Sequence, residues 1–106
     1  MDIIEEHNEK GSVKTNDTIG ESDKILEHLQ LAFSQGKRAG VEKYLLYQLE
    51  ASIRLITLNK IKLERLKFYP NNQELILELE TNFSNYREQA ISSMKEIVNV
   101  GSIKMR

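Results

Sequence analysis

Cysteine is absent from this 106-residue chain. That removes disulfides, thiolate metal sites and cysteine nucleophiles together, and it fits a reducing cytoplasm. Long apolar runs are missing too. The start, MDIIEEHNEK, is acidic and carries no apolar stretch, so neither a signal peptide nor a membrane span is expected and a cytoplasmic protein is. No internal repeat, low-complexity block or strand-like alternation occurs. Glycine-rich phosphate loops are lacking, because GKRAG shares only Gly and Lys with them and no strand precedes it. The two histidines, His7 and His28, have no carboxylate at the Glu-x-x-His spacing that helical metal sites use. No serine has a positioned base. We therefore expect neither enzymatic activity, nor a bound metal, nor a cofactor.

What is present is helix. With 40% hydrophobic and 29% charged residues, the chain fits one small domain that can bury a core without covalent staples. Its net charge of −1 hides a segregation. Residues 1–36 carry eight acidic and three basic side chains, and residues 37–67 carry three acidic and eight basic. An acidic leader thus precedes a basic central segment. The two can neutralise each other, or the basic segment can face anionic lipid headgroups or nucleic acid.

The organising stretch is residues 41–69, an uninterrupted helical pattern. At about 100° per residue, Leu45, Leu49, Ile53, Ile56 and Leu63 form one apolar stripe, while Tyr44, Ala51, Leu55, Leu58 and Leu66 form another. One neighbour cannot cover both, so this helix should be central and touched by two helices, or by one helix and a second chain. Residues 72–99 supply a continuous seam of Ile76, Leu79, Phe83, Tyr86, Ala90, Met94 and Ile97. Residues 21–35 supply a third amphipathic helix with Ile25, Leu26, Leu29, Ala32 and Phe33 on one face.

Punctuation sets the expected boundaries. Thr18 and Glu21 have capping-box spacing, with Ser22 or Asp23 as rival caps. Gly36 suits a left-handed helix terminus, although the sequence leaves open whether residues 22–68 form one helix or two. Pro70 stops the central helix, and Asn71 with Glu74 starts the last. The expected architecture is all-α: a small antiparallel bundle of helices at about 21–35, 41–69 and 72–99. Residues 1–20 are expected as a mobile acidic leader, in which DIIEEHNEK is able to form a short fourth helix, and residues 101–106 as a fraying tail.

The candidate interaction surface lies on the central helix. Lys43, Arg54 and Arg65 recur every eleven residues, three helical turns, and align along one edge with Tyr47 and Ile61 beside them. Glu50 stands one turn before Arg54, the favourable orientation for a helix ion pair. Leftover apolar residues Leu46, Ile61 and Phe68 suggest that a second chain completes the core. The residues thus point to a non-enzymatic protein-interaction module. The alternative is a small helical nucleic-acid-binding or transcription-regulating protein that uses the basic segment.

Three stretches resemble a known family. ILEHLQ, Ile25 to Gln30, is similar to the start of the second helix of the immunity proteins that protect producers of class IIa, pediocin-like bacteriocins. Asn59-Lys60-Ile61 with Lys62 and Leu63 resembles the end of that family's third helix. Asn72-Gln73 with Ser84-Asn85 and Arg87 resembles spacings in its fourth. Residues 1–20 are less apolar than the family's first helix, and Leu66–Asn71 would be an insertion. The resemblance implies an antiparallel helical bundle that recognises a complex of bacteriocin with its membrane receptor from inside the cell, binding without catalysis.

Overall fold

The computed structural model describes the backbone of residues 2–69 and 71–104 and the side chains of residues 14–69 and 71–98. It shows an all-α bundle of three helices: α1 (Asp2–Ala39), α2 (Lys43–Leu66) and α3 (Gln73–Lys104). Each helix touches the other two. At 63 × 18 × 17 Å the molecule is a narrow rod, with a longest dimension close to the roughly 57 Å that a 38-residue helix spans at 1.5 Å per residue.

The core runs along the predicted seams. Ile25 and Leu29 of α1, Leu45, Leu49, Ile56 and Leu63 of α2, and Leu79, Phe83, Ala90 and Ile97 of α3 are buried. Leu26, Ala32, Phe33, Ile53, Tyr86 and Met94 pack against them. The order of contacts fixes the topology. Asp23 of α1 pairs with Lys60 of α2, and Gly36 of α1 lies beside Leu46 of α2, so residue numbers run in opposite senses along that contact. Between α2 and α3 the same holds: Asn59 Nδ2 donates a 2.9 Å hydrogen bond to the Leu79 carbonyl, whereas Leu46 and Ile97 both approach Gly36. Asn59 is almost fully buried, and its bond to a neighbouring backbone supplies the polar partner that such a side chain needs.

The first helix begins far earlier than expected. Residues 2–39 form one helix, so the predicted start near residue 21 is corrected and no separate fourth helix precedes it. The side chains of residues 1–13, most of the expected leader, lie outside the described residues. The cap-like residues are what obscured the seam. Thr15, Thr18 and Ser22 are buried and continue the inward face of Ile25 and Leu29 toward the N-terminus. Thr18 donates to the Lys14 carbonyl at 3.0 Å and Ser22 to the Thr18 carbonyl at 2.8 Å, bonds to the preceding turn that let hydroxyls lie inside the bundle. Thr18 and Ser22 are therefore interior helix residues, not caps.

The turn after α1 is also displaced. Gly40, not Gly36, takes the left-handed conformation, with φ of 69°. The Val41 N–H bonds the Gly36 carbonyl at 3.1 Å and the Gly40 N–H bonds the Lys37 carbonyl at 3.2 Å, the paired closure of a Schellman terminus. Residues 22–68 are thus two helices. Gly36 is a buried helix residue where a Cβ would stand 3.1 Å from Leu46 Cδ2 and 3.1 Å from Val41 Cγ2, so its lack of a side chain permits the close approach of α1 and α2. The helix α2 ends at Leu66 rather than Tyr69, in a turn closed by Lys67 N–H to Leu63 O and Tyr69 N–H to Leu66 O. Pro70 lies outside the described residues. The last helix continues to Lys104, past the expected end at residue 99, and Met105 and Arg106 lie outside the described residues.

Candidate interaction surface

The two apolar stripes of α2 meet different fates. Leu45, Leu49, Ile56 and Leu63 have no exposed surface. On the opposite side Tyr44 is 52% exposed, Tyr47 65% and Leu58 57%, and Phe68 in the following turn is 73% exposed. Only half of α2 is covered by α1 and α3. The remaining apolar residues form a line rather than scattered points, and contiguity is what marks a contact surface.

All five residues singled out from the sequence fall on this outer side. Lys43 opens α2 and is exposed, Tyr47 stands one turn on, and Ile61 is 37% exposed. Arg65 is exposed in the last turn, where a cation favours the negative end of the helix dipole. Arg54 is bound by the predicted partner: its Nη2 donates to Glu50 Oε1 at 2.8 Å, in full view of solvent. Tyr44, Ala51, Leu58 and Phe68 belong to the same line but were not among those five. The signal that finds them is spacing. Positions 44, 47, 51, 54, 58, 61, 65 and 68 alternate three- and four-residue steps, the heptad rhythm of a helix that meets another helix. Leu46 does not belong to this surface. It packs on the core beside Gly36, which corrects the expectation that it awaits a second chain.

The chemistry of the surface is aromatic and aliphatic with cations interleaved. A shallow open depression at its C-terminal end is lined by Ile61, Glu64, Arg65, Phe68 and Tyr69. The Lys67 ammonium lies 5.3 Å from the centre of the Phe68 ring, within cation–π range. At the flank facing α1, Lys60 contacts Asp23 and lies 3.6 Å from Glu64. The hydrogen bond to Asp23, more than any other influence, raises the Lys60 pKa above its ordinary 10.5, against an opposing effect of burial.

A second polar cluster lies away from α2. The Glu80 side chain is only 10% exposed against α1, with Lys14 at 3.6 Å to balance its charge. That distance is a charge contact rather than a hydrogen bond, and Glu80 Oε2 is buried without a hydrogen-bond partner. His28 is exposed on α1, and the side chain of His7 lies outside the described residues. No three His, Asp or Glu side chains gather as a metal-holding set among the described residues. Among the described residues no helix is long and apolar enough to cross a membrane.

No protein-family model, no curated protein and no solved structure matches the chain.

Proposed function

We propose that this protein is a non-enzymatic interaction module whose contact surface is the outer side of α2. The observation that carries the reading is the row of large apolar side chains left in water on the outer side of α2 and in the turn after it, Tyr44, Tyr47, Leu58, Ile61 and Phe68, with Arg54 and Arg65 between them, while the other side of the helix is buried. Tyrosine and arginine, the residues that anchor protein contacts most strongly, recur along it. The setting is the cytoplasm, which the lack of cysteine supports. A nucleic-acid backbone is the poorer match. One of the three aligned cations, Arg54, is already held by Glu50, and bulky apolar groups rather than further cations fill the spaces between them. A finer form of the proposal takes the occupant to be a bacteriocin–receptor complex. It rests on the resemblance of the ILEHLQ, NKIKL and Asn72–Arg87 stretches alone, and ILEHLQ lies within α1 rather than at a helix start.

Photo-crosslinking in cells tests the general reading. A benzophenone side chain at Tyr47 is expected to give one discrete crosslinked protein band, while the same group at exposed Glu88 on α3 gives none. No band from Tyr47, or equal smears from both positions, contradicts it.

A further inference from the structure

We infer that the outer side of α2 is self-complementary and pairs two copies of this chain in an antiparallel helix contact with its two-fold axis at residue 56. The inference rests on the reading of that side as a contact surface and names its occupant.

Register decides the orientation of such a pair. Helices that meet along a heptad line place the two alternating positions of each repeat at the seam. In a parallel pair every residue would face its own copy. Arg54 would then oppose Arg54 and Arg65 would oppose Arg65, two like-charge layers inside a partly dehydrated seam, each costly. Reversing one helix removes the Arg65 layer and sets Arg54 off from its own copy by four residues, about 6 Å along the axis. With the axis at residue 56, Tyr47 of one copy faces Arg65 of the other, a cation over an aromatic ring. Arg54 faces Leu58, lays its aliphatic stem along it and keeps its head with Glu50. Ala51, the smallest residue of the line, faces Ile61, so a small side chain meets a large one. Tyr44 faces Phe68 at each end. Four kinds of layer, each occurring twice, account for the whole line with no cation against a cation.

The geometry also sets the strength. From Tyr44 to Phe68 the seam is about 36 Å long, and a helix face is about 11 Å wide. The footprint is thus roughly 400 Å² per copy, below the ~800 Å² of a standard stable interface. The dimer is accordingly a weak one that dissociates on dilution.

Two measurements test this. Sedimentation equilibrium of the unaltered protein is expected to show a mass that rises from 12.3 kDa toward twice that value as concentration increases from about 10 μM to the millimolar range. The second exploits the absence of native cysteine. Ala51→Cys with Ile61→Cys in one chain places two thiols in the same layer across the axis, and mild oxidation is expected to yield a covalent dimer. Either substitution alone puts its thiol about 15 Å along the axis from its own copy, ten residues at 1.5 Å each, beyond disulfide reach, and should yield little. Both positions are exposed, and circular dichroism checks that the variants keep their helix content. Single variants that crosslink as readily as the double overturn the antiparallel register. A constant 12.3 kDa mass with no crosslinked dimer overturns self-pairing altogether. In that event a band from Tyr47 to a different protein still upholds the contact surface, whereas its absence removes both readings.

Discussion

Leu49 and Leu58 sit on the same helix, nine residues apart. One has no exposed surface, and the other is 57% exposed. Side-chain chemistry does not distinguish them, and neither does helix propensity. The difference is the company supplied by the rest of the chain: α1 and α3 each bring one apolar seam, and both seams are spent on the side of α2 that carries Leu45, Leu49, Ile56 and Leu63. A helix with two apolar sides and neighbours on only one of them retains a surface that the fold itself does not use. The inner side holds the bundle together, and the outer side is left in water.

The comparison breaks most easily by truncating one residue on each side. Leu49→Ala should lower stability by ~2–5 kcal/mol through lost burial and a residual cavity, while Leu58→Ala should change it by no more than ~0.5 kcal/mol in dilute solution. Urea denaturation at low micromolar concentration reads both. Equal losses would mean that the two sides are equally packed.

A smaller effect sharpens the inner side. In Gly36→Ala the new methyl would stand 3.1 Å from Leu46 and Val41, and this crowding should outweigh the ~1 kcal/mol gained in helix propensity, for a net loss of up to ~2 kcal/mol. Gly20→Ala is the control. A Cβ at Gly20 meets nothing within 4 Å, so there the propensity gain should appear as a rise in stability of up to ~1 kcal/mol. Thermal melts that move in the same direction for both would contradict the close approach at Gly36.

The smallest effect belongs to the flank. Because the Lys60 pKa is raised in the folded state, its contribution is fully present below the unfolded value of 10.5 and fades as pH rises through the higher folded value. With Asp23 half-exposed the pair is worth no more than ~1 kcal/mol. Stability curves for the wild type and Asp23→Asn should therefore differ at pH 7–9 and converge only as pH rises past the raised folded-state pKa of Lys60. A difference that persists at high pH would assign another role to Asp23.

Much of this fold was legible because apolar periodicity reports burial directly. From Leu79 to Ile97 every residue named in the last seam is buried or packed on the core, as are the five named on α1, while Ile76 is half-buried. What the pattern concealed was α1 before residue 21. Its inward positions are Thr15, Thr18 and Ser22. The hydroxyls of Thr18 and Ser22 are suited equally to a cap and, bonded to the preceding turn, to a narrow interior. Glycine misled in the same way. Gly36 and Gly40 are interchangeable as symbols, but one provides a positive φ and the other provides room for Leu46. On the surface, the eleven-residue recurrence of Lys43, Arg54 and Arg65 marks the side of α2 that stays exposed. That its apolar residues stay uncovered became plain only once the neighbours of each residue were known, since Leu49 and Leu58 read alike in sequence.

The central claim is that the outer side of α2 serves contact and not folding, and the double substitution Leu58→Glu with Ile61→Glu tests it most directly. Stability from urea denaturation, measured at a concentration where the chain is monomeric, should stay within ~1 kcal/mol of the wild type, while the Tyr47 photo-crosslink disappears. A loss of more than ~3 kcal/mol, the cost expected of charges forced into a core, or an undiminished crosslink would contradict the account.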